Sequence, residues 1–144
     1  MRWAIVTKTF RFEAAHSLPF HRGKCARLHG HSYRLEVSLR GPLKACPDTS
    51  DHGMVMDFSD LSTIVTQAVV ERLDHQDLNA VTGVYTTAEL LVHWIWEALV
   101  AGGLPDDLLW RLRLWETETG CIEITQQERE ETETCRPLPD THRF

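Results

Sequence analysis

The sequence holds no apolar run near the ~18 residues that a membrane-spanning helix requires, so a membrane partner is not expected. No basic-then-apolar leader precedes Trp3-Ala4-Ile5-Val6-Thr7, which argues against an export signal. The four cysteines, Cys25, Cys46, Cys121 and Cys135, form no Cys-x-x-Cys pair. Without an export signal they read as free thiols in a reducing, cytoplasmic compartment. Positive charge is also scarce: 15 Lys and Arg against 21 Asp and Glu give a net charge of −6, which argues against a nucleic-acid partner. No internal repeat is visible.

What is present is one domain's worth of chain: 144 residues, 42% of them hydrophobic, enough to bury a core. Its most distinctive stretch is Lys24-Cys25-Ala26-Arg27-Leu28-His29-Gly30-His31, running into Ser32-Tyr33-Arg34-Leu35-Glu36-Val37-Ser38-Leu39-Arg40. The latter reads as a strand, in which alternate side chains share a face. His29 and His31 then lie on the core side with Tyr33, Leu35, Val37 and Leu39. Buried imidazoles need partners, and two of them converging are either packed histidines at a strand end or the start of a zinc site. Cys25 brings a thiol nearby. Arg22, Lys24 and Arg27 form a local basic cluster, either a solvated loop or an attraction for a small anion.

Residues 2 to 16 alternate as well, with Ala4, Val6, Phe10, Phe12, Ala14 and His16 on one face, interrupted by Lys8. A third histidine thus ends a core-facing row. Beyond the turn-rich 46–53 connection, where His52 is expected to be exposed, Ser59-Asp60 look like a helix start. Leu61, Ile64, Val65, Ala68, Val69 and Leu73 then follow at helical spacing. Asp74-His75 falls in the following loop, as a solvated pair or a proton relay. Thr86-Thr87-Ala88-Glu89 reads as a capping box with Thr86 as the cap. The helix it opens carries Leu91, Val92, Ile95, Trp96 and Leu99 and ends at Gly102-Gly103, with His93 just off the stripe. Trp110, Leu112 and Leu114 alternate in a third strand whose buried face the pattern leaves open, because Leu109 and Trp115 lie opposite. Glu116 continues that row, where a carboxylate needs a specific partner unless the strand end frays. Residues 121–125 form a fourth strand, and 126–144 read as a polar, mobile tail. The order strand-strand-helix-helix-strand-strand predicts an α+β domain over 1–125: a small antiparallel sheet with both helices on one face.

Six ordered motifs carry a family likeness over about residues 3 to 125. They are Phe12-Glu13-Ala14-Ala15-His16; Lys24-Cys25-x-x-Leu28-His29-Gly30-His31-Ser32-Tyr33; Gly53-Met54-Val55-Met56-Asp57-Phe58; Leu73-Asp74-His75-x-x-Leu78-Asn79; Thr87-Ala88-Glu89; and Glu116-Thr117. The set resembles the 6-pyruvoyl-tetrahydropterin synthase superfamily, and within it the bacterial 6-carboxy-5,6,7,8-tetrahydropterin synthase branch. The resemblance implies a tunnelling fold (T-fold) assembled as a homohexamer, a dimer of trimers, with active sites between subunits. It implies that His16, His29 and His31 bind Zn2+, that Cys25 is the general base, and that Asp74 and His75 form a relay. Glu116 would anchor the pterin and share in proton transfer, with Thr87, Glu89 and Arg27 as further substrate-binding residues.

The implied substrate is 7,8-dihydroneopterin triphosphate, and the implied products are 6-carboxytetrahydropterin, acetaldehyde and triphosphate, for queuosine or another 7-deazapurine. The alternatives are the pyruvoyl reaction, another pterin side-chain cleavage, or a non-catalytic pterin-binding module. The short Cys25-to-His29 spacing favours the carboxy branch, because the pyruvoyl branch typically carries its cysteine further upstream. Retention of Cys25, Asp74 and His75 disfavours a mere binder. One departure is Leu90, where the family usually has Asn.

Overall fold

The computed structural model describes residues 1–130 of the chain. Two 14-residue strands dominate it, β1 (Trp3–His16) and β2 (His29–Pro42). They pair antiparallel without a break, from Trp3 opposite Pro42 to His16 opposite His29. Between them Lys24–Ala26 makes a single 3-10 turn. After β2 come α1 (Phe58–Val65), a π-turn over Thr66–Val70, and α2 (Glu71–Leu73), which together form the first long helical segment. Then follow β3 (Gln76–Asp77), α3 (Leu78–Thr82), α4 (Ala88–Ala101), β4 (Leu109–Trp115), β5 (Cys121–Thr125) and α5 (Gln126–Glu130).

The sheet runs β3-β1-β2-β4-β5. All neighbours are antiparallel except the two-residue β3, which lies parallel to β1. The α+β architecture with helices on one face is as the pattern predicts. The added edge strand β3 and helix α3 occupy a stretch that reads as loop, because elements this short leave no periodicity. The first helix also starts earlier than expected: Asp57, not Ser59 or Asp60, is its cap and accepts from the Ser59 amide at 2.7 Å.

Alternation puts Phe12, Tyr33, Leu35, Val37, Leu39, Leu112 and Leu114 on the helix side, all buried. Leu61, Val65, Val69 and Leu73 cover them from one helical segment, and Leu91, Val92, Ile95 and Leu99 from α4. The facing of β4, open in the sequence, is decided by a bulge. Leu39 pairs with Leu109 and Ser38 with Arg111, so Trp110 is the extra residue. The bulge shifts phase by one, and Leu109 becomes buried together with Leu112 and Leu114. Gly102 marks a close helix contact, since a Cβ there would stand 2.7 Å from the Ala68 Cβ in the π-turn.

The opposite sheet face is largely polar and only partly exposed, with Arg113 held by Glu123 at 2.6 Å. Gln126–Glu130, read from sequence as tail, is instead helical. Gln126 Nε2 donates to the Leu109 carbonyl at 2.9 Å, and Arg129 reaches Glu97 and His93. The remainder of that expected tail, 131–144, lies outside the described residues. No helix among the described residues is long and apolar enough to cross a membrane.

Leu35 sits fully buried on the central strand of the helix-covered face. Leu35→Ala is expected to cost about 2–5 kcal/mol of unfolding free energy, the range for a buried leucine truncated in a packed core. Urea denaturation measures it, and a loss under about 1 kcal/mol would contradict the core assignment.

Candidate metal centre and active site

The β1–β2 register builds the centre. With His16 opposite His29 and Ala14 opposite His31, the three imidazoles meet at one end of the helix-covered face. Their ring centroids lie 4.6 to 5.1 Å apart. One potential ligand atom from each falls within 4.8 Å of the others. His16 is fully buried, and His29 and His31 are half-buried.

Second contacts fix two of the rings. His16 Nδ1 donates to the Thr86 carbonyl at 2.9 Å, and His29 Nδ1 donates to the Arg27 carbonyl at 2.7 Å. A carbonyl only accepts, so Nδ1 carries the proton in both, and in the neutral rings Nε2 presents a lone pair. His16 Nε2 is buried and has no hydrogen-bond partner among the described residues, although Glu116 Oε1 stands 3.2 Å away. The same Oε1 lies 3.5 Å from His31 Nε2. Lone pairs facing a carboxylate repel unless positive charge lies between them, and a buried imidazolium is itself costly. A cation bound by three neutral imidazoles resolves the conflict, and the donor set is one that zinc accepts.

The electrostatics follow from this crowding. With positive charge or a proton at the histidine centre, Glu116's carboxyl is held below the usual carboxylate range, first through its contact with His16 and then by His31, with burial opposing. Burial pushes His31 down, while Glu116 pulls the other way. Burial, and then Glu116, pushes the Tyr33 hydroxyl far up.

Thr86, Asn79 and Tyr33 belong to this centre although the residue pattern gave none of them a part in it. Thr86 is not the helix cap. Thr87 caps α4 by accepting from the Leu90 amide at 3.2 Å, one residue later than the capping box suggests. That frees Thr86, which is fully buried, to face His16. Its hydroxyl donates to Asn79 Oδ1 at 3.2 Å, and Asn79 exchanges hydrogen bonds with Ser17 at 3.0 and 2.9 Å. Asn79 thereby ties α3 to the end of β1 and steadies His16 through Thr86. Tyr33 lies on the same strand face as His31, stacks on Phe12 at 5.0 Å and keeps its hydroxyl buried. Its place two residues after His31 was the available signal.

Asp74 and His75 form a pair of their own. Asp74 Oδ2 meets His75 Nδ1 at 2.9 Å, while Oδ1 accepts from the Glu13 amide at 2.9 Å. His75 has a φ of 57°, the one positive value at a non-glycine residue among those described. Its amide donates to the Glu13 carbonyl, so the pair is strapped to the edge of β1. His75 and His31 line the same shallow cleft of about 480 Å³, together with Glu13, Gly30, Ser32 and Asp77.

Cys25 sits half-buried in the 3-10 turn and is a free thiol. Its carbonyl accepts from the Leu18 amide at 2.8 Å, which closes the β1–β2 connection. It is not among the three converging ligand groups. Arg27 is exposed and gives its carbonyl to His29. Glu89 is exposed on the first turn of α4, and Leu90 is 46% exposed, so the missing Asn lies at the surface. His52 is exposed as expected.

The chain has relatives among known proteins. The family model for 6-pyruvoyl tetrahydropterin synthase matches residues 5–127. The chain belongs to that family. It is therefore an enzyme of the lyase type represented there. A 6-carboxy-5,6,7,8-tetrahydropterin synthase from Synechocystis sp. is 44% identical over 102 residues, covering 70% of this chain and 78% of the relative. One from Haemophilus influenzae is 36% identical, covering 84% of this chain and 98% of its own length. The fold matches the structure of Caenorhabditis elegans 6-pyruvoyl tetrahydropterin synthase with a TM-score of 0.76 at 24% identity, over 87% of this chain and 96% of that one. The tunnelling fold expected from the motifs is thus the fold observed.

Asp74 provides a test of the strap. Its carboxyl is held below the usual range, first by the Glu13 amide and then by His75. A depressed folded-state value stabilises the protein above the unfolded-state pKa, about 3.9, and that contribution is lost as pH falls through the folded value. Wild type should therefore melt above Asp74→Asn at neutral pH, with the gap closing below about pH 4. A gap that stays constant down to acid pH would count against the ionised strap.

Proposed function

We propose that the chain is a zinc-dependent 6-carboxy-5,6,7,8-tetrahydropterin synthase. It converts 7,8-dihydroneopterin triphosphate to 6-carboxytetrahydropterin, acetaldehyde and triphosphate. The observation that carries this reading is the convergence of His16, His29 and His31 on Glu116, with two tautomers fixed by main-chain carbonyls. The names of the bacterial relatives and the four-residue interval from Cys25 to His29 support the carboxy branch.

His16, His29 and His31 would hold the zinc. A zinc ion held there would supply a Lewis acid that makes a substrate hydroxyl acidic at neutral pH. Cys25 as thiolate takes a proton from the side chain. Asp74 fixes His75 through Nδ1, which leaves Nε2 to pass protons at the cleft. Glu116 accepts the paired N–H groups of the pterin edge; Thr87, Glu89 and Arg27 complete the substrate contacts.

The same reading makes the protein a cytoplasmic homohexamer serving queuosine or another 7-deazapurine. Its support lies in the open sheet edges, since β3 covers only Ala14 and Ala15 of β1, and in the exposure of His75, 77% in the single chain.

His29→Ala is expected to remove most of about one zinc per chain, as metal analysis of the purified protein would show. Near-stoichiometric zinc in the variant would exclude His29 as a ligand. Cys25→Ala should keep its zinc and bind pterin while turnover falls roughly 10²-fold or more, the scale of a lost general base. Loss of zinc from that variant would make Cys25 a ligand instead. Mass spectrometry decides the branch: a product that keeps its three-carbon side chain, without acetaldehyde, would assign the pyruvoyl reaction.

A further inference from the structure

The exposed face of the sheet carries arginines in two different states. Arg113 is bound by Glu123 at 2.6 Å and by Glu36 at 3.7 Å, and Arg111 approaches Glu123 at 3.7 Å. Arg11 and Arg34, by contrast, have no carboxylate within ion-pair distance among the described residues. They also stand directly opposite one another across β1 and β2, a like-charge pair that destabilises a sheet. On its other side Arg34 pairs with Trp115 of β4, and its guanidinium lies 4.3 Å from the centre of the indole ring. Three strands thus bring Arg11, Arg34 and Trp115 into one cross-strand row.

Two donors in that row are buried without an acceptor among the described residues, Arg34 Nε and Trp115 Nε1. Both are N–H groups, so what they lack is the same thing: an oxygen that accepts. Arg11, Arg34 and Trp115 line a cleft of about 280 Å³ with the hydroxyls of Ser32 and Thr117. Glu118 also lines it and is exposed. Glu13, on the same strand face as Arg11, is engaged by the Ser32 hydroxyl at 2.6 Å. The histidine centre faces the other side of the same sheet.

We propose that Arg11, Arg34 and Trp115 form an anion site that takes a polyphosphate. Two positive charges and two unsatisfied N–H donors call for an acceptor-only group of multiple negative charge. The row crosses two strand spacings of about 4.8 Å each, which a single carboxylate does not bridge. A chain of phosphates does, with oxygens on every side. An anion between the arginines also converts their repulsion into two charge-assisted contacts. The site rests on these residues alone and stands whatever reaction the histidine centre performs.

Titration calorimetry of the full-length protein as purified, at low salt, tests it with inorganic triphosphate, orthophosphate and ATP. About one triphosphate should bind per chain, more tightly than orthophosphate, and Arg11→Gln and Arg34→Gln should each weaken it about 10-fold or more. Arg34→Lys keeps the charge but not the Nε donor and should fall between. His29→Ala should retain the binding. ATP matching triphosphate assigns the site to phosphate esters, and ATP binding far more weakly assigns it to the free anion. Arg11 is exposed, so Arg11→Gln is readable even if Arg34→Gln fails to fold. That variant should melt higher than wild type in anion-free buffer and gain no further on adding triphosphate. Equal affinity in wild type and Arg11→Gln, or loss of binding in His29→Ala alone, would overturn the proposal.

Discussion

The register between β1 and β2 is the constraint on which the rest of the molecule depends. Because strand side chains alternate, one pairing decides both the core and the centre. With His16 opposite His29, the row Phe12, Ala14, His16 faces the helices beside Tyr33 and His31. A slip of one residue would turn one strand over, sending either His16 to solvent with Arg11 and Glu13 inward, or His29 and His31 to solvent with Arg34 and Glu36 inward. The apolar residues further along the two strands hold the register, and the histidines ride on it. The centre is therefore preorganised by burial at a distance from it.

That is why so much of the site was legible in the residues. Period-two alternation in β1 and β2 is strong, and it fixed the facing of His16, His29 and His31 before any contact was known. Glu116 was legible only as a carboxylate continuing the row of Leu112 and Leu114, a row whose facing the pattern left open. What alternation does not carry is phase across an irregularity. Leu109 is buried because Trp110 is an extra residue, and a bulge leaves no periodic trace. The cap of α4 was misplaced by one residue for a related reason. Two adjacent threonines satisfy the local pattern equally, and the choice between them is tertiary, set by Thr86 facing His16.

The supporting contacts were illegible for a different reason. Asn79 lies 62 residues from Ser17 and seven from Thr86, yet it bonds both. No window of sequence contains that arrangement. Its function is nonetheless local at His16: the Thr86 carbonyl holds the Nδ1 proton, Nε2 is left as the donor atom, and Asn79 keeps Thr86 in place. Such outer contacts commonly change metal affinity by 10- to 100-fold when lost, roughly the leverage expected of a hydrogen bond that sets a ring's orientation.

The Asp74–His75 pair shows the opposite economy, with little burial and much backbone constraint. A histidine at a φ of 57° occupies a conformation that costs of order 1–3 kcal/mol unless its surroundings impose it. The imposing contacts are visible. The His75 amide is bound to the Glu13 carbonyl and the Asp74 carboxylate to the Glu13 amide, so one residue of β1 grips both members. Beyond them the chain immediately joins the sheet as β3. A relaxed loop would need none of this. The strain turns the chain sharply enough for His75 to project from the sheet edge, where it is largely exposed and shares a cleft with His31. In the hexamer proposed above a neighbouring subunit would meet His75 at this edge, and with one nitrogen already committed to Asp74 the imidazole would offer its other nitrogen for proton transfer.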